Sequence, residues 1–228
     1  MPSDARLERL LDDALEALDA GRNEDAKRAA LQAVARGPDD AEAWEYLGTA
    51  LCRLGDLSAA ADAFRHWRDL APRSRMAHRS LANVLFRLAR YEDVEQACRA
   101  MAEQWPEDPY SLILLANVRY KQAKEYVQFL DMAFGRDREA ASAMLVELFD
   151  FTLPHAQGEL GLSPSEAARA VKLSEEVLRS LAEDGIAPHH VENGQLVFVA
   201  RELAAWQTTL SRYGLFPPVQ RRPGRPSQ

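Results

Sequence analysis

Between about residues 7 and 120 apolar side chains recur every three or four positions, with polar residues on the other sides of each turn. That period predicts amphipathic α-helices, each with one stripe to bury. The stripes come in register: Pro38, Pro72 and Pro106 stand 34 residues apart. The same step links Gly21, Gly55 and Ala89, then Ala14, Gly48 and Ala82, then Ala26, Ala60 and Val94, then Ala30, Phe64 and Cys98. Gly21 and Gly55 mark the turns inside the first two pairs of helices, and the prolines stop the second helix of each pair. One such hairpin cannot cover its own stripe, whereas a stack of at least about three can.

The middle copy runs Trp44-x-x-Leu47-Gly48-x-x-Leu51, then Gly55, Ala60, Phe64 and Pro72. It resembles a tetratricopeptide repeat, with Leu51 where that family has tyrosine. The fold expected is therefore mainly α: a tetratricopeptide solenoid of helical hairpins over 1–150, with repeats at about 7–40, 41–74 and 75–108 and a degenerate copy at 109–150. In the first copy Asp13 replaces the leucine of the stripe, while Leu11, Leu15 and Leu18 move it to another face, as suits a capping or partner-binding helix. After Pro106 a further first helix reads from Tyr110 to Tyr120, but the turn glycine does not follow and the register is lost near Lys121. Two helices are expected beyond it, about 124–134 and 138–149, with Gly135 between them.

The resemblance implies that the first helix of each repeat lines a concave surface that holds a peptide or a partner helix. The residues this places inward are Glu45, Thr49 and Arg53, then Met76, Arg79, Asn83, Phe86 and Arg87, then Tyr110, Ile113, Asn117, Tyr120 and Lys121, with Glu42 and Cys52 beside the first set. Arg79 and Asn83 lie four apart on one helix face, with Asn117 and Lys121 one repeat on. Together they are similar to part of the carboxylate clamp of some chaperone-binding members. Glu42 and Glu45 would repel an acidic tail. Phe86, Tyr110 and Tyr120 would line the groove with aromatic surface.

The pattern changes at Thr152, and 151–161 reads as a linker. From Leu162 a capped helix start appears, with Ser163 as cap, Pro164 in the first turn and Glu166 reaching back. A second helix opens at Ser174 and closes at Gly185, and Asn193-Gly194 is a strong hairpin signal before Arg201–Trp206. In order and spacing, 162–215 resembles the small winged helix-turn-helix module, with one β-hairpin, of MerR-type and excisionase-type DNA-binding proteins. The resemblance implies DNA contacts from Ser174, Arg179 and Gln195. Lys172 occupies a turn position where that family favours glycine. Between 162 and 206 four basic residues, Arg169, Lys172, Arg179 and Arg201, face seven acidic ones, a poor balance for phosphate contacts. Arg221, Arg222 and Arg225 lie in a basic tail, 216–228, whose Gly-Arg-Pro element is similar to an AT-hook.

The 228 residues fit one or two domains of ordinary soluble composition, and the net charge of −7 leaves no chain-wide footprint for nucleic acid. No apolar run is long enough for a leader or a membrane span, so a cytoplasmic location and no membrane partner are expected. Cys52 and Cys98 form no metal-ligand cluster and read as small apolar groups, and His189-His190 reads as turn surface. Phosphate loops, dinucleotide fingerprints, zinc-protease motifs and nucleophile elbows are absent from the sequence, so no enzyme, cofactor or metal is expected. The reading is a bacterial-type adaptor that grips a protein partner in the repeat groove. Its alternative is a DNA-binding transcriptional regulator in which the repeats sense a partner.

Overall fold

The computed structural model describes residues 4–153, 161–192 and 194–217. It divides into two compact units, Met1–Gln104 and Trp105–Gln228. The boundary falls after the third hairpin and not at the change of composition near residue 151.

The first unit is three helical hairpins: α1 (Ala5–Asp19) with α2 (Asn23–Arg36), α3 (Ala41–Leu54) with α4 (Leu57–Leu70), and α5 (Arg75–Arg87) with α6 (Tyr91–Gln104). Polar caps start the first helices: Asp40 Oδ1 accepts from the Ala43 N–H and Ser74 Oγ from that of Ala77. The repeat register carries bonds as well as shapes. Trp44 Nε1 donates to the Pro38 carbonyl at 2.7 Å, and 34 residues on His78 Nε2 lies 3.1 Å from the Pro72 carbonyl. Small residues sit where helices approach, with Ala14, Ala43, Ala60 and Ala77 fully buried and Gly48 beneath the ring of Phe64.

The turn register outlasts its glycines. Gly21 and Gly55 take φ of +72° and +85°, and Ala89 and Ala123, one and two steps further on, take +54° and +53°. The fourth hairpin therefore keeps the turn position although its sequence has lost the residue that suits it. That corrects the expectation that periodicity stops near Lys121.

The second unit begins with that hairpin, α7 (Tyr110–Lys121) and α8 (Val127–Arg136), followed by α9 (Arg138–Leu148). Gly135 lies in the last turn of α8; the break is at Asp137, whose side chain accepts from the Ala140 N–H. Then come α10 (Pro164–Val171), α11 (Glu175–Glu183), the antiparallel pair β1 (His190–Glu192) and β2 (Gln195–Val197), and α12 (Ala200–Arg212). Ser163 and Glu166 form the reciprocal cap of α10, and Lys172 ends it with φ +58°.

These elements share one core. Leu112, Ile113 and Tyr120 of α7, Leu130 of α8 and Leu145 of α9 belong with Phe149, Phe151, Leu178, Leu181, Phe198, Leu203, Trp206 and Leu210. Arg212 and Tyr213 both bond Asp131, at 2.7 and 2.9 Å, tying α12 to α8. Phe151, at the start of the expected linker, is thus a core residue; 154–160 lie outside the described residues.

Candidate functional site

The first helices of the first unit stand side by side. Arg53 on α3 donates from Nη1 to the Leu18 carbonyl of α1 at 2.6 Å, and Arg87 on α5 donates from Nη1 to Cys52 Sγ of α3 at 2.8 Å. Each arginine reaches back across the same 35-residue interval, so α1, α3 and α5 present one continuous face.

On that face the sequence-predicted residues divide by how far they are already engaged. Arg53 and Arg87 are spent holding helices together. Thr49 Oγ1 donates to the Glu45 carbonyl one turn back. Arg79 and Asn83 each have an interaction of their own within the chain, so neither is a vacant clamp residue. Phe86 is half-buried with its ring 5.9 Å from that of Tyr91. Met76, by contrast, is 58% exposed, and Leu15 of α1, at the register position of Thr49, is 41% exposed. Burial, reinforced by Glu42, raises the carboxyl pKa of Glu45. Tyr46, which the sequence did not single out, donates its hydroxyl to Glu42 Oε1 at 2.7 Å.

The α7 set is placed differently. Tyr110, Ile113, Asn117 and Tyr120 are buried, and in their own unit they are engaged by the chain itself. Asn117 Nδ2 donates to the Leu148 carbonyl at 3.1 Å, Tyr120 to the Phe151 carbonyl at 2.9 Å, and Lys121 Nζ to Asp150 at 2.6 Å and to the Thr152 carbonyl. Burial alone would raise the pKa of Asp150, but the hydrogen bonds from Lys121 and Thr152 outweigh it and hold the carboxyl below its ordinary value. The segment Leu148–Thr152 thus takes the groove positions expected for a partner. The reason is chemical: α7 is buried on nearly every side, so the donors of Asn117, Tyr120 and Lys121 need acceptors within the protein, and Leu148–Thr152 supplies them.

Of the residues expected at DNA, Ser174 Oγ caps α11 by accepting from the Val177 N–H, Arg179 pairs with Glu175 at 2.9 Å, and Gln195 is exposed on β2 opposite Glu192. Arg221, Arg222 and Arg225 lie outside the described residues. Nor is His190 merely turn surface: its Nε2 lies 2.9 Å from Oε2 of Glu202, a fully buried carboxylate that also accepts from the Leu153 N–H at 2.7 Å. The one sequence signal for this group is a glutamate inside the apolar stripe of Leu203, Trp206 and Leu210. Among the described residues no cluster of histidine, cysteine and carboxylate could hold a metal, and no helix is long and apolar enough to cross a membrane.

Residues 11–75 match the tetratricopeptide repeat family model. No curated protein matches the chain in sequence. Among solved structures, a tetratricopeptide repeat protein from Parabacteroides merdae has a TM-score of 0.57 at 15% identity, covering 91% of this chain and 76% of that one. PilF of Pseudomonas aeruginosa has 0.53 at 17%, covering 95% and 94%. MamA from Desulfovibrio magneticus RS-1 has 0.54 at 22%, covering 62% and 82%. At such identities the likeness is one of fold. Family match and structural neighbours together support reading the stacked hairpins as tetratricopeptide repeats.

Proposed function

We propose that the chain is a non-enzymatic, cytosolic adaptor of bacterial type whose α1, α3 and α5 face holds a partner polypeptide. The observation that carries this reading is the combination, on one face, of exposed Leu15 and Met76 with a Glu45 carboxylate charged against its surroundings. A carboxylate placed against burial and a like charge costs stability, and such costs concentrate where function requires them, while Leu15 and Met76 beside it leave apolar surface free for contact. The partner that suits the face is a helix or extended peptide with an apolar side chain for Leu15 or Met76 and a cation for Glu42 and Glu45.

In this reading α10, α11, the β1–β2 pair and α12 form a winged helix-turn-helix turned to protein contact. The alternative, a transcriptional regulator that reads DNA with α11, is less well supported. The hydroxyl of Ser174 is used as a cap and Arg179 is held by Glu175, which leaves α11 with acids at its start and few groups for phosphate.

A photo-crosslinking residue placed at Met76, with another at the comparably exposed Met132 of α8 as control, tests the adaptor. Crosslinks to a defined set of proteins from Met76 and not from Met132, weakened by Glu45→Lys, are the expected outcome. Equal yields from both positions would overturn it. Salt-sensitive capture of random duplex DNA through α11 would favour the regulator instead.

A further inference from the structure

The second unit holds an open groove of about 1250 Å³ that no function above uses. One wall is α9; the other is formed by the residues that follow α11 and α12. The floor is apolar, with Ala140, Ala143 and Val146 on one side and Ile186 and Leu215 on the other. The rims are acidic on both sides, with Glu139 and Glu147 on α9 and Asp184 opposite. Glu139 and Asp184 have no ion-pair partner among the described residues. The basic residue at the groove, Arg138, has its Nη2 on the Tyr213 carbonyl at 3.1 Å and its guanidinium over the Phe134 ring.

Pro217, the last described residue, is itself part of the lining. The next eleven residues, 218–228, contain Arg221, Arg222 and Arg225, three prolines and no acid. At roughly 3.3–3.6 Å per residue Arg221 lies within about 14 Å of Pro217, so the first arginine is in reach of either rim. We propose that this groove is the docking site of the chain's own basic segment 218–228, its arginines on the acidic rims and Val219 and the prolines against the apolar floor. Charge complementarity selects this occupant, and tethering supplies it at an effective concentration in the millimolar range, so a weak site suffices. Prolines lower the conformational entropy that ordering such a segment must overcome.

The test uses the full chain with Cys52→Ser and Ser227→Cys, a nitroxide on the new thiol and amide signals read by NMR. Cys98 stays unlabelled, since burial pushes its thiol up to about 12. The expected result is loss of the amide signals of Ala140, Ala143 and Ile186. Those signals return with Arg221→Glu, Arg222→Glu and Arg225→Glu together, and separately with Glu147→Lys plus Asp184→Lys. Three results would overturn the proposal: undiminished groove signals, loss centred instead on the Glu45 face, or loss only when nitroxide-bearing chains are mixed with isotope-labelled ones.

Discussion

A β-carbon built on Gly48 would stand 2.4 Å from Cε1 of Phe64, far inside any contact that carbon atoms tolerate. The α3–α4 hairpin closes only because position 48 has no side chain. Gly48→Ala should therefore destabilise the first unit by about 1–3 kcal/mol, the usual cost of overfilling a packed core. Gly135→Ala is the control: nothing lies within 4 Å, and in the last turn of α8 the exchange gains up to about 0.5 kcal/mol. Urea midpoints of the two variants should move in opposite directions.

Among the described residues, the non-glycine positions with positive φ, Ala89, Ala123 and Lys172, should respond the other way. A left-handed backbone costs an L-residue about 1–2 kcal/mol, part of which glycine returns as entropy in the unfolded chain. Each change to glycine is expected to raise stability by up to about 1 kcal/mol, seen as a higher thermal midpoint. A lower midpoint at Ala89 or Ala123 would mean that the turn is not held as described.

How far the sequence discloses the molecule is visible in these same positions. The 34-residue step, the caps at Asp40, Ser74 and Ser163 and the close approach at Gly48 are local matters of spacing and residue size, and local pattern carries them. The fourth turn escaped because alanine stands there in a conformation that composition never advertises. Asn117, Tyr120 and Lys121 escaped for a different reason. Register assigns them to a groove, but what meets them is Leu148–Thr152, about thirty residues away in sequence, and periodicity holds no information on such a pairing.

Glu45→Gln should raise the melting temperature at pH 7. Its folded pKa is raised, so the stability tied to the protonated form is fully present below the unfolded value, 4.5, and is lost as pH climbs through the folded one. The advantage of the variant should shrink to nothing below about pH 4. If the adaptor reading holds, the same variant loses affinity for a cationic partner, so stability and binding part company at one atom.

Asp150 carries the opposite sign. Held low by Lys121 and Thr152, it contributes stability above its unfolded pKa of 3.8, and that contribution disappears as pH falls through the folded value. Asp150→Asn should flatten the acid limb of a stability-against-pH curve. The effect should be modest, because the carboxylate is 44% exposed and water screens the pair.

At Glu202 the expected effect is larger. Glu202→Leu removes the acceptor of both His190 and the Leu153 N–H inside the core, and buried polar groups left unmet cost about 1–3 kcal/mol each. Glu202→Gln keeps an acceptor oxygen and should lose distinctly less. Amide exchange at Leu153 would report the difference directly.

The stretch Leu148–Thr152 also fixes how many hairpins the array can usefully own. By gripping its own main chain with Asn117, Tyr120 and Lys121, α7 behaves as a stopper: a duplication that added repeats after it would first have to evict this plug and leave Phe149 and Phe151 in water. Growth by gene duplication is therefore easiest among the hairpins that come before α7. Natural variation in array length should be sought there.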